Sequence, residues 1–312
     1  MELHTPTVTA DRLRAWCADQ LGSAVDIELI RTGHLAAVIG VRLRDEREVV
    51  IKVRPHAARL AQCVGVQQQV AAWEFPCPRP LSGVLDLDGH AATVEQYVPG
   101  GTTYPDTGRA AEPFAVAFAR LVELAPSAAA ESLRPAPAWN RWDHDEPGLW
   151  PAADDLTVDL NRLPGPAWIE RAAASARARL QAGVGPAIVT HGDWYAANLR
   201  WAGDRLLVAH DWDSVIADTE AAAVGFAAAA YPALGPGGEA TIAETEDFLD
   251  AYAKARGQAL ERDEQECAWA AGVWLRAFDA KKQCVRGLPI VSLRRREADQ
   301  RLRRAGARTR LR

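Results

Sequence analysis

The sequence predicts an α+β protein of two lobes, a small one built on an antiparallel sheet and a larger, mainly helical one. The chain has 312 residues, which is long for a single hydrophobic core. Strand-like runs separated by short turns fill most of the first hundred residues, whereas helical periodicity dominates the last hundred. We therefore expect an N-lobe of residues 1–97 and a C-lobe of residues 98–312.

The N-lobe begins with a predicted helix at residues 9–21. Leu13, Trp16 and Leu21 recur at helical spacing, and Gly22 stands where helices commonly end. Short strands are predicted at 25–31, 38–44 and 48–53, followed by a helix at 56–73. A hairpin of 84–87 and 91–98 is predicted around Asp88-Gly89, because this dipeptide favours tight turns.

The C-lobe is predicted to be helical at 112–125, 168–181, 220–231, 240–256, 261–285 and 289–304. Between the first two helices lies an acidic segment rich in Trp and Pro, residues 126–166. Loops of this length in compact domains are usually functional or disordered, and the tryptophans argue against disorder. Two interpretations stay open: contacts to a cationic or sugar-like molecule, or a packed lid with a solvated acidic rim.

Charge is distributed unevenly along the chain. The tail at 292–312 contains nine Arg against Glu297 and Asp299, which gives it a charge of +7. Since the net charge of the whole chain is −5, the rest of the chain carries about −12. An acidic body favours cationic partners. Apolar residues of the tail recur at helical spacing and no recognition motif accompanies the arginines, so we expect a packed terminal helix and no nucleic-acid partner.

Other features narrow the class of protein. No apolar run approaches the ~18 residues that a membrane span needs, and the N-terminus lacks a basic-then-apolar signal pattern. The five cysteines are scattered, which is typical of reduced thiols rather than a disulfide framework. We expect a cytoplasmic protein with no membrane partner, and the sequence leaves monomer and homodimer open.

The residues that point to chemistry lie between positions 187 and 211. A short apolar run leads into His191, Gly192 and Asp193, and Asn198 follows five residues after Asp193. A turn at 202–204 then leads into a second apolar run that ends in Asp211. Two short strands joined by a tight turn would hold these groups together. A carboxylate could accept a proton there, while an amide oxygen and a second carboxylate suit Mg²⁺.

The run from His191 to Asn198, with Asp211, resembles the catalytic loop and metal-binding segment of the aminoglycoside phosphotransferase family, a branch of the protein-kinase-like fold. The resemblance implies transfer of the γ-phosphate of a nucleoside triphosphate, with ATP as donor, to a small-molecule hydroxyl. The acceptor would be an aminoglycoside, another antibiotic or an amino-sugar-like molecule, consistent with antibiotic resistance. Asp193 and His191 would then be catalytic, and Asn198 and Asp211 would hold Mg²⁺.

The N-lobe pattern is similar to that of the same fold. Lys52, on the third strand, would contact the α- and β-phosphates as a point charge. The turn that contains Gly33 and His34 would cover the phosphates. The segment Gln96, Tyr97 and Val98 would form the hinge and read the edge of adenine.

One departure from this pattern keeps a second hypothesis open. No Asp or Glu occurs between Lys52 and Glu74, where the fold usually supplies an acid for the lysine. We expect a glutamine of the helix, among Gln62 and Gln67–Gln69, to replace the ion pair by a neutral hydrogen bond. The rival is therefore a catalytically impaired nucleotide-binding protein.

The acceptor is the other open question. No lysine lies between Asp193 and Asn198, where protein kinases carry one, so a small molecule is favoured over a protein. A choline- or homoserine-like metabolite remains an alternative to an antibiotic. Because of the acidic body we expect a cationic acceptor, with Asp154 and Asp155 among the acids that face it.

Overall fold

The structure is a computed structural model that describes residues 5–105, 110–183 and 185–307, with backbone only for residues 127–129. A five-stranded antiparallel sheet forms the small lobe, in the order β1-β2-β3-β5-β4. Its strands are β1 Val25–Gly33, β2 Ala37–Leu43, β3 Glu48–Arg54, β4 Leu85–Leu87 and β5 His90–Gln96. The predicted hairpins are present, with strand ends shifted by one or two residues.

Helix α1 (Ala10–Gln20) covers this sheet. Thr9 accepts a hydrogen bond from the Arg12 amide and so caps the helix, as expected for a threonine at this position. Leu13 and Trp16 are buried on the helix and Ile39 and Ile51 on the sheet, and these residues share one hydrophobic cluster. The cluster fixes the sheet that carries Lys52.

Helix α2 (Leu60–Ala72) is shorter than predicted and packs elsewhere. Its buried residues Cys63, Val66 and Val70 belong to the hydrophobic cluster of the large lobe rather than to that of the sheet. The division of the chain at residue 97 stays a prediction. In the packing, α2 connects the two lobes.

The large lobe is helical, as predicted. Its helices are α3 Ala111–Leu124, α4 Ala167–Ala182, α5 Glu220–Ala230, α6 Ile242–Arg256, α7 Arg262–Val285 and α8 Arg295–Arg304. Helices α5 and α7 lie very close together. A Cβ added at Gly225 would lie 2.1 Å from the backbone oxygen of Ala268, so only glycine permits this approach. The apolar α5 is thus a core helix.

The segment 126–166 is ordered by packing. It contains two short 3₁₀ helices, Ser127–Leu133 and Ala138–Asn140, and Trp150 is fully buried within the large lobe. The Trp150 indole donates to Glu170 at 2.6 Å. The structure thus favours the packed-lid interpretation of this segment.

The arginine-rich tail folds back on the lobe. Helix α8 begins six residues later than predicted, and Leu293, Ala298 and Leu302 are buried on one face. Two buried arginines, Arg301 of α8 and Arg276 of α7, pair with the same acid of α8. Glu297 pairs with Arg276 at 2.9 Å and with Arg301 at 2.8 Å. Part of the arginine charge is therefore internal to the fold.

Within the described residues, none of the helices has the length and apolar character that crossing a membrane requires.

Candidate active site

Four short strands hold the residues that the sequence singled out. Strand β6 (Ala187–His191) pairs with β9 (Val215–Thr219), and the tight hairpin is formed by β7 (Leu199–Ala202) and β8 (Arg205–Ala209). The strand that leads into His191 therefore pairs with a strand beyond Asp211 that was not predicted. The expectation of a simple two-strand unit was incomplete, although the chemical groups do come together.

His191 holds two parts of the site together by its ring. Its Nε2 lies 2.8 Å from the His210 carbonyl oxygen, and its Nδ1 lies 3.2 Å from the Asp193 amide. This arrangement fits the tautomer that donates from Nε2 and accepts at Nδ1. Burial lowers the pKa of His191, which favours the neutral ring that both hydrogen bonds need. The geometry supports a positioning rather than a proton-transferring role.

Asn198 is bound to Asp193 within the same loop. Its Nδ2 donates to the backbone oxygen of Asp193 and to the carboxylate Oδ2, both at 3.0 Å. One carboxylate oxygen is thereby fixed. Because the amide nitrogen is used in this way, Oδ1 is the atom of the Asn198 side chain that could act as a metal ligand.

Asp211 has a strained backbone. Its φ of 67° and ψ of 50° lie in the left-handed region, which is uncommon for residues other than glycine. Ser214 Oγ donates to the Asp211 carbonyl oxygen at 2.5 Å and holds the turn. Such strain is retained where the surrounding structure determines it, often at functional sites.

The donor set fits Mg²⁺. Asn198 supplies an amide oxygen and Asp211 a carboxylate, both hard ligands. Across the described part of the chain, no group of three or more His, Cys, Asp or Glu side chains is arranged to hold a metal ion. A metal here would have two protein ligands and would complete its shell with phosphate oxygens and water, as Mg²⁺ commonly does.

Asp193 has an unusual electrostatic environment. Its pKa is raised to about 8, mainly by burial, and the nearby Asp211 carboxylate contributes in the same direction. A cation bound at Asp211 would remove the second effect. Metal binding would therefore favour the ionised form of Asp193.

The partner of Lys52 is Glu95, which the sequence reading missed. Lys52 Nζ lies 2.8 Å from Glu95 Oε1, and the two side chains are only 8% and 7% exposed. The prediction of a neutral hydrogen bond from a helix α2 glutamine was therefore wrong. The acid comes from strand β5, because the sheet register places Thr93 opposite Lys52 and brings Glu95 to the same face.

Two arginines of the small lobe contact the segment that follows Asp211. The buried Arg54 forms an ion pair with Asp213, and Arg59 donates to the backbone oxygens of Asp213 and Val215. The sequence gave no signal for these contacts, since Arg54 ends β3 and Arg59 follows it, whereas their partners lie more than 150 residues further along the chain. These contacts bring Lys52 towards the catalytic loop, where burial and, to a smaller extent, the charge of Lys52 lower the pKa of His210.

The hinge and the turn at Gly33 are formed by local geometry. The Gln96 and Tyr97 amides already donate to Arg79 and Glu48. A Cβ at Gly33 would meet the Ala36 oxygen at 1.8 Å, so the turn between β1 and β2 requires glycine. The neighbouring His34 uses its carbonyl oxygen to accept a hydrogen bond from Thr5. The roles of these residues towards a nucleotide stay predictions.

The expectation that Asp154 and Asp155 both face an acceptor was wrong for Asp155. Asp155 is buried and pairs with Lys282 and Arg286 at 2.9 and 3.0 Å, so its charge is occupied inside the lobe. Asp154 is exposed and accepts a hydrogen bond from the Ala138 amide at 2.8 Å. A role of Asp154 towards an acceptor stays a prediction.

A different acid lies near the catalytic loop. Asp279, on α7, forms a long ion pair with Lys282 at 3.8 Å. Burial raises the pKa of both Asp193 and Tyr195, and the charge of Asp279 adds a minor contribution in the same direction. Burial raises the pKa of Asp279 itself to about 6. No sequence motif marked this position, because its proximity depends on how α7 packs.

A small lobe carrying a buried lysine, joined to a helical lobe with an Asp–Asn loop and a strained acid, defines a phosphotransferase of the kinase-like fold. The sequence profile of the phosphotransferase enzyme family matches residues 26–215, and the chain belongs to that family. The predicted fold, family and enzyme class are confirmed. No curated protein sequence matches the chain.

Solved structures share the fold at low identity. A macrolide 2'-phosphotransferase from Brachybacterium faecium is 15% identical, with a TM-score of 0.53 over 94% of this chain and 97% of that chain. A spectinomycin phosphotransferase solved with ADP and spectinomycin is 13% identical, with a TM-score of 0.60 over 96% and 94%. A choline/ethanolamine kinase family protein from Mesorhizobium loti is 16% identical, with a TM-score of 0.56 over 95% and 93%.

Proposed function

We propose that the protein uses Mg²⁺ and ATP to phosphorylate a hydroxyl of a small cationic molecule, with an antibiotic or amino sugar as the favoured acceptor class. The observation that carries the proposal is the Asp193–Asn198 pair beside Asp211. The fixed carboxylate can accept a proton while the adjoining oxygens hold a metal. Similar folds solved with antibiotics add support.

In the proposed reaction, each of this chain's groups has a separate task. Mg²⁺ would supply charge neutralisation for the phosphates. Asp193 takes the proton of the acceptor hydroxyl while the hydroxyl oxygen bonds to the γ-phosphorus. The bond between that phosphorus and the β–γ bridging oxygen breaks, and ADP is released. Asn198 fixes Asp193, and Lys52 binds the α- and β-phosphates. His191 holds the loop against His210.

Recognition of the base is proposed to fall on the hinge. Because the Gln96 and Tyr97 amides are already engaged, the Val98 amide is the best placed of the three to donate to adenine. The turn at Gly33 and His34 would lie over the phosphates. Whether ATP or GTP is preferred can be read directly from the KM values of the two nucleotides.

The acceptor is proposed to bind beside Asp279. The Asp279 side chain is 35% exposed and its ion pair with Lys282 is long, at 3.8 Å, so its carboxylate can pair with an ammonium group and so place a neighbouring hydroxyl at the base. The experiment is a screen with Mg²⁺-ATP of aminoglycosides, macrolides, spectinomycin, amino sugars and choline. We expect ADP release and a product heavier by one phosphate group. Phosphorylation of only neutral acceptors would contradict the charge assignment.

Asp279→Asn provides a quantitative test of that assignment. We expect the KM for a cationic acceptor to rise about tenfold, since a charge-assisted hydrogen bond contributes roughly 1.5–3 kcal/mol. The KM for ATP should stay unchanged. Asp247→Asn, on the exposed side of α6, is the matched control and should alter neither constant. Equal effects of the two variants would dismiss Asp279 as an acceptor ligand.

Asp211→Asn tests the metal assignment. Loss of one anionic ligand should weaken Mg²⁺-dependent nucleotide binding about tenfold or more, because a neutral amide is a poorer ligand for a hard cation. Titration calorimetry with a non-hydrolysable ATP analogue at several Mg²⁺ concentrations measures this. An unchanged Mg²⁺ dependence would place the metal elsewhere.

The catalytically impaired alternative has lost its main support. It was motivated by the missing acid on helix α2, and Glu95 supplies a carboxylate to Lys52 from another element. A kinase of a choline-like metabolite remains the second candidate, since a choline/ethanolamine kinase family protein has a similar fold. The acceptor screen separates it from the antibiotic class.

A further inference from the structure

The contacts around Glu95 form a closed set. Its Oε1 lies 2.8 Å from Lys52 Nζ, and its Oε2 accepts a hydrogen bond from Gln67 Nε2 at 3.0 Å. Gln67 is itself buried on α2 and also donates to the Pro78 carbonyl oxygen at 2.8 Å. Each carboxylate oxygen therefore has a fixed donor, one from the sheet and one from the helix.

The location of the negative charge is the unusual feature. Helix α2 has no acid, and the side chain by which it contacts Glu95 is the neutral Gln67. The charge lies on β5, directly before the segment 96–98 proposed to read the base. One residue thus adjoins both the phosphate end and the base end of the proposed nucleotide site.

We propose that Glu95 is the positioning residue for Lys52. Gln67 of helix α2 supports Glu95 by a hydrogen bond from its uncharged amide. The inference rests on the proposed function and deepens it. A buried ammonium group that is paired with one carboxylate at 2.8 Å is held in one direction. Lys52 would then reach the phosphates from a position set by β5 rather than by a helix.

The test compares binding of Mg²⁺-AMP-PNP, a non-hydrolysable ATP analogue, with binding of adenosine, both by calorimetry. Glu95→Gln should weaken binding of the analogue about tenfold or more, the range for a charge-assisted contact. Adenosine has no phosphates and should bind as in the wild type. Equal losses for both ligands would mean that Glu95 acts on the base, and would overturn the inference.

Moving the negative charge from position 95 to position 67 should partly restore binding of the analogue. In the double variant Glu95→Gln with Gln67→Glu, the carboxylate moves to the helix and the amide to the strand. We expect the double variant to bind the analogue at least threefold more tightly than Glu95→Gln alone. Absence of any recovery would show that Glu95 fills space rather than supplying charge, and would also overturn the inference.

Controls separate this inference from the function itself. Glu48→Gln, which breaks a half-exposed pair with Arg42 on the same sheet, should leave binding unchanged. If Glu95→Gln fails to fold by circular dichroism, Gln67→Leu keeps the charge and removes only its support. This variant should weaken binding of the analogue severalfold and leave binding of adenosine unchanged. Equal effects on the two ligands would refute the proposal. Failure of the wild type to bind the analogue would overturn the kinase function as well.

Discussion

Replacing Asp193 by asparagine is expected to lower kcat about 10²–10⁴-fold while leaving the affinity for nucleotide nearly unchanged. A positioned base contributes this range to proton transfer. The substitution keeps the shape and removes the charge that receives the proton, whereas the metal ligands Asn198 and Asp211 stay in place. Steady-state kinetics with an acceptor from the screen, together with calorimetric nucleotide binding, measure the two quantities.

Asp204→Asn is the matched control for this experiment. Asp204 lies in the exposed turn of the β7–β8 hairpin, where it accepts a hydrogen bond from the Tyr104 hydroxyl at 3.0 Å. Its substitution should change kcat less than about twofold, because surface substitutions away from special features are usually within ~0.5 kcal/mol. An Asp193→Asn enzyme with near-normal turnover would remove Asp193 from the mechanism.

The largest effect on stability is expected at Glu297. Arg276 and Arg301 are 5% and 0% exposed, and both take Glu297 as their anionic partner. Burial lowers the pKa of Arg301 to about 10, and the neighbouring Arg276 lowers it in the same direction. Glu297→Ala leaves two buried like charges without an anion, so we expect a loss of about 3–5 kcal/mol in the free energy of unfolding.

Denaturant titration followed by tryptophan fluorescence measures this loss. Glu246→Ala is the control, because its pair with Arg304 is exposed and should be worth less than about 1 kcal/mol. A loss at Glu297 no larger than that at Glu246 would show that backbone acceptors alone satisfy the two arginines. Arg301, for example, also donates to Thr245 and to the Ala240 carbonyl oxygen.

The sequence predicted best what depends on neighbours along the chain. Asp193 and Asn198 are five residues apart in one loop, so their spacing already implied contact, and the structure joins them at 3.0 Å. The amphipathic tail likewise predicted a packed helix. In each case the interaction is local, and local patterns determine local structure.

What the sequence did not reveal depends on register and packing. Glu95 meets Lys52 because β5 pairs with β3, a register that no local pattern specifies. Asp155 reads as a surface acid in sequence, but it is buried with Lys282 of α7 and with Arg286, which directly follows α7. Asp279 gave no signal for the same reason.

The contacts of the small lobe with residues 213–215 couple two quantities: the angle between the lobes and the shape of the turn at Asp211, the proposed metal ligand. Arg54 and Arg59 hold this stretch just beyond Asp211, so a rotation that opens the cleft must also pull on the left-handed turn. By thermodynamic reciprocity, an ion that favours one shape of the turn also favours one cleft opening.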